Sequence, residues 1–101
     1  MVAPSSLAEL VRDRTAALRT VPFPDLIRRE RTASENVRLG WRRGSLEVLV
    51  ESQDSDAVRV IVLGSLQIPL LPVYTRAVDG FYKRADGTVG AVPDEEFREF
   101  E

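Results

Sequence analysis

At 101 residues the chain suits one domain built around one core. It has no cysteine and no histidine, which excludes disulfides, thiolate or imidazole metal sites, a cysteine nucleophile and a Ser-His-Asp triad. A net charge of −2, with 44% apolar and 30% charged residues, describes a folded globular protein without an overall basic field for nucleic acid or anionic lipid.

The opening MVAPSSLAELVRDR has neither the basic start nor the apolar run of a secretory signal. The strongest apolar stretch, Val58 to Leu63, falls far short of a membrane span. A cytoplasmic location without membrane contact is therefore expected. Ser6 followed by Glu9 forms a capping box. Leu7, Leu10, Val11, Ala17 and Leu18 then recur at helical spacing, so a helix is predicted over 6–20, ended by Pro22 and Pro24. Pro24 and Asp25 suit a first helical turn. A short second helix near 25–31 follows, with the TASEN segment (32–36) read as a loop.

From Val37 the period becomes two. Val37, Leu39 and Trp41 alternate with polar residues or glycine, and Leu46, Val48 and Val50 resume the pattern after Gly44. A two-residue hairpin loop at Arg43-Gly44 would set Trp41 across from Leu46, Leu39 from Val48 and Val37 from Val50, with all six on one face. Arg38 and Arg42 would then share the opposite face, Arg38 across from Leu49. Gly40 within the strand hints at a bulge or a close backbone approach.

Gln53 to Asp56 reads as a polar turn, and Val58–Leu63 as a central strand covered on both faces. Gln67 to Val73, broken by Pro69 and Pro72, is an edge or loop. Val73–Val78 is a further strand, Asp79-Gly80 a turn, and Phe81–Arg84 with Thr88–Val92 a hairpin about Asp86-Gly87. Asp94 to Phe100 reads as a short terminal helix. The order gives one α+β domain over 1–101: an N-terminal helix packed on a mostly antiparallel meander of about five strands, with a short C-terminal helix.

Three groups of residues invite a functional reading. Arg28, Arg29, Arg31, Arg38, Arg42 and Arg43 stand against two glutamates between 28 and 43, a local +4. They are the candidate anion or nucleic-acid contact. The bland alternatives are a solvated face or pairing with the acidic tail. That tail sets five acids against Arg98 between 93 and 101, a local −4. Its Asp94, Glu95 and Glu96 complement a helix first turn and are a candidate partner contact. Ile68, Leu70 and Leu71 form either a subunit contact or a covered connection. Asp54 and Asp56 lack the rest of a calcium loop, and a hairpin turn is the simpler reading.

No residue is assigned a catalytic, metal-binding or cofactor role. The expectation is a small non-enzymatic protein-interaction module, with homodimerisation its most specific form. A nucleic-acid-binding domain using the Arg28–Arg43 cluster and a carboxylate-dependent hydrolase are the alternatives.

Overall fold

The computed structural model describes residues 6–29, 31–40, 42–67, 70 and 74–100. Helix α1 spans Leu7–Arg19. It starts where the sequence places it: Ser6 adopts an extended backbone, and its hydroxyl accepts the Glu9 N–H at 3.2 Å. Leu7, Val11, Thr15 and Leu18 are buried along one stripe, and the Thr15 hydroxyl is satisfied by donating to the Val11 carbonyl at 2.8 Å. At the other end the Lys83 ammonium donates to the Arg19 carbonyl at 2.6 Å, a cation where the helix dipole is negative. Helix α2, Phe23–Ile27, buries Phe23 and Leu26 and stops short of the predicted residue 31.

Five strands follow: β1 Thr32–Leu39, β2 Arg42–Asp54, β3 Ala57–Gln67, β4 Tyr74–Arg84 and β5 Val89–Ala91. They form one antiparallel sheet in sequence order. Helix α3, Asp94–Phe97, and a 3-10 turn, Arg98–Phe100, complete the described chain. The arrangement is the α+β meander expected from the sequence, with the Val58–Leu63 run in the central strand.

The core lies between α1, α2 and one face of the sheet. It joins Leu7, Val11 and Leu18 to Leu26, Leu46, Val50, Val60, Val62 and Phe81. Full burial of a side chain the size of Phe81 stabilises by about 2–3 kcal/mol. Gly64 lets α1 approach β3 closely, since a Cβ there would stand 2.6 Å from Val11 Cγ2 and 2.8 Å from Leu7 Cδ1.

Several local expectations are corrected. Residues 32–36 are not a loop but the first half of β1, because β2 extends far enough to pair with them, and the Val50 N–H already reaches the Arg31 carbonyl at 2.8 Å. The hairpin turns after Leu39, at Gly40, not at Arg43-Gly44. Gly40 supplies the left-handed φ of +62°, so it is the turn and not a bulge. Gly44 is inside β2, where an added Cβ would run into the Ser65 carbonyl.

The β1–β2 register consequently differs by six residues. Leu39 faces Arg42, Val37 faces Gly44, Glu35 faces Leu46 and Arg38 faces Arg43. An even displacement preserves the faces, so Val37, Leu39, Leu46, Val48 and Val50 still pack on the helix side. Arg42 moves to that side too, its Nε donating to the Gln67 carbonyl at 3.4 Å. Trp41 lies outside the described residues.

Asp79-Gly80 is no turn but the middle of β4. Gly80 is there because a Cβ would meet the Val60 carbonyl at 2.5 Å and Ile61 Cδ1 at 2.8 Å. Asp86-Gly87 does turn, with Gly87 at φ +92°. The Asp86 carboxylate accepts the Thr88 hydroxyl at 2.7 Å and backbone N–H at 2.9 Å, and these bonds hold it below its usual pKa.

Candidate interaction surfaces

The face of the sheet opposite α1 is built by the alternate residues of each strand. At one end Arg59 of β3 faces Glu51 of β2 and Tyr82 of β4. The chain end folds over this point. Arg59 Nη1 bonds Glu96 Oε1 at 2.9 Å, and Nη2 bonds Glu51 Oε2 at 2.7 Å and Glu99 Oε1 at 2.9 Å. The guanidinium also lies 5.7 Å from the Phe100 ring centroid, within cation–π range. The Tyr82 hydroxyl donates to Glu96.

Burial opposes the charge on Arg59, but the bonds to Glu51, Glu96 and Glu99 outweigh it and raise its pKa. The bond from Tyr82, then that from Arg59, holds the Glu96 carboxyl below the usual range. The same bond to Glu96, with burial, pushes the Tyr82 phenol up. Together these bonds tie α3 and the 3-10 turn after it to the sheet.

At the other end of the face, Arg38 and Arg43 sit directly across from each other. Beside them runs a polar row in which Asn36 faces Ser45, Ser45 faces Ser65, and Ser65 faces Arg76. Tyr74, 55% exposed, lies two residues from Arg76 on the same side of β4. No carboxylate pairs with Arg38, Arg43 or Arg76 among the described residues.

The predicted basic cluster is therefore divided. Arg28 stands after α2, 3.9 Å from the Asp25 carboxylate. Arg29 edges a groove, and Arg31 precedes β1. Arg42 occupies the helix side, and only Arg38 and Arg43 share the open face. Among the described residues the acidic tail forms no ion pair with this cluster, contrary to one expectation. Glu96 and Glu99 are drawn to Arg59, while Asp94 and Glu95 are exposed at the start of α3. Arg76, Tyr74 and Arg59 escaped the sequence reading because only strand register brings them beside their neighbours.

A second surface runs along β1. Helix α1 packs on β3 and β4, so the β1–β2 part of the helix-side face is less covered. The result is a groove of about 530 Å³ with Leu46, Val48 and Val50 in its floor. Ala17, Leu18 and Val21 form one wall, Ala33 and Glu35 the other, and the Arg14–Glu35 ion pair spans it.

The bond from Val50 N–H to Arg31 sets the ladder phase. Peptide groups of Ala33, Glu35 and Val37 point to β2, and those of Thr32, Ser34, Asn36 and Arg38 point outward. Residues 31–36 are all exposed. The opposite edge, β5, is only three residues long.

Of the candidate Ile68, Leu70 and Leu71 contact, only Leu70 falls within the described residues, fully exposed at φ +65°. The Asp54 carboxylate accepts the Asp56 N–H at 2.7 Å, closing the expected turn. Among the described residues no group of three or more acidic side chains is placed to hold a metal ion, and no helix is long and apolar enough to cross a membrane. The chain matches no protein-family model, no curated protein and no solved structure.

Proposed function

We propose that this chain is a non-enzymatic protein-interaction module that takes an extended segment of a partner protein along β1, as a sixth strand. The observation that carries the reading is the eight-residue outer edge of β1, whose outward N–H and C=O groups are a template for another chain. Each backbone bond gained contributes about 0.5–1.5 kcal/mol net. Ala33 forms a low lip to the groove, so an apolar side chain of the added strand has a path over it toward Val48. Backbone pairing would supply affinity, and that side chain selectivity.

A second copy of the chain is one partner this edge accepts, which gives the homodimer a concrete geometry: two β1 strands side by side in one continuous sheet. The reading places the module in the cytoplasm.

The test uses peptides selected from a random library on the immobilised protein, followed by amide chemical-shift mapping. Bound peptides are expected to perturb Thr32–Leu39. Ser34→Pro removes one outward N–H while leaving the β1–β2 ladder donors in place, and proline is tolerated on edges. It is expected to weaken peptide binding at least about tenfold, a loss of ~1.4 kcal/mol, without unfolding the protein. Peptides that bind elsewhere, or bind S34P equally well, overturn the reading. Light scattering of wild type and S34P decides whether a second copy uses the same edge.

A further inference from the structure

We infer that the arginine-bearing end of the open face is a landing site for single-stranded nucleic acid. The surface is distinct from the β1 edge, although the two share a strand. Arg38 and Arg43 are directly opposed at one cross-strand position. Their Cα atoms are then about 5 Å apart, and facing like charges destabilise a sheet.

Among the described residues no acid of that face pairs with either arginine to offset the repulsion. The acid of the same face nearest along β2 is Glu47, four residues from Arg43 and so ~13 Å away along the strand. Glu35 is turned to the helix side and paired with Arg14. Arg76 adds a third guanidinium across the Asn36–Ser45–Ser65 row. Three cations without a carboxylate partner among the described residues thus share one end of the face, and an anionic ligand would relieve the repulsion between Arg38 and Arg43.

Tyr74 decides which anion. The residue is 55% exposed on the same side of β4 as Arg76, at the edge of a broad sheet surface. Base stacking uses an exposed ring in such a place, and an acidic peptide does not need one. Asn36 and Ser65 add neutral donors and acceptors between the cations. The patch reaches across four strands, about 14 Å, enough for a few nucleotides. Guanidinium groups would hold phosphates while one base rests on Tyr74, with no sequence preference implied.

The test is fluorescence anisotropy of labelled oligo-U and oligo-dT titrated with the full chain across salt. Binding is expected to fall with salt at a log–log slope of about −2, at roughly −0.7 per phosphate for three contacts. The triple variant R38Q/R43Q/R76Q is expected to flatten that slope and to lose about 100-fold at low salt. Y74A is expected to weaken binding about tenfold at every salt with the slope unchanged, the mark of stacking. Arg12→Gln, on the outer side of α1, should change nothing, and R43Q alone serves if the triple variant melts.

Absence of binding overturns the inference. So does affinity indifferent to the triple variant, or equal competition by an oligo-glutamate peptide, which would reassign the patch to acidic proteins. S34P should leave oligonucleotide binding intact, so failure here and failure of the edge-strand reading are told apart.

Discussion

The open face of the sheet carries arginine at both ends, and the two ends live differently. Arg59 is enclosed, its side chain 11% exposed, with three carboxylates and a phenyl ring around it. Arg38, Arg43 and Arg76 are exposed and have no carboxylate partner among the described residues. The residue type is the same and the strand environment similar. What differs is where the chain end folds back: α3 brings Glu96, and the 3-10 turn after it brings Glu99, to one end, and among the described residues the chain end brings no acid to the other. An arginine that meets its carboxylates inside the chain becomes structure, and one that does not stays available to a ligand.

That contrast breaks most readily at Arg59. Arg59→Ala leaves Glu51, Glu96 and Glu99 facing one another without their cation. Removing one partner of a well-buried pair costs 3–5 kcal/mol. With these acids partly in solvent, a loss of about 2 kcal/mol is expected, lowering the melting temperature by about 10 °C. Release of the C-terminal segment should appear in the same variant as faster proteolysis at Phe97 and Phe100.

Tyr82→Phe keeps the ring and deletes the hydroxyl donor to Glu96, for an expected loss of about 1 kcal/mol by denaturant titration.

The pH profile sharpens the same point. Glu96 has a folded-state pKa below its unfolded value, so its contribution is fully present above the unfolded value and is lost as pH falls through the folded one. Acid unfolding curves of wild type and Glu96→Gln should therefore be fully separated above about pH 5 and draw together only as pH falls through the lowered folded-state value. Tyr82 has a raised folded pKa, so its contribution fades only as pH climbs above about 10.

The smallest effect belongs to the basic end. Arg43→Gln removes one of two facing like charges and should leave stability unchanged or raise it by up to about 0.5 kcal/mol in a thermal melt. A clear destabilisation would mean that the basic patch is structural after all, and the contrast with Arg59 would collapse.

How much of this was legible in the sequence follows the range of each signal. The Ser6 cap, the apolar stripe of α1 and the Asp86-Gly87 turn are written in neighbouring residues, and the structure has them as read, except that on the stripe Ala17 is exposed and Thr15 is buried. The alternation of Val37, Leu39, Leu46, Val48 and Val50 settled which side chains share the covered face. It could not settle the register, because an even slip leaves that face unchanged, and the choice between Gly40 and Gly44 as the turn depended on the close approach of β3 to Gly44. Asp79-Gly80 resembles a turn locally and serves as close packing globally. The Arg59–Glu96 pair spans 37 residues, and no local pattern announces it.

By itself, then, the sequence determined the α+β class, the helix-on-meander order and the covered face, since these rest on periodicity and capping within a few residues. Only the tertiary structure decided which arginines are clasped and which are free, because that depends on strand register and on where the last residues fold, contacts made between parts of the chain too far apart to mark one another.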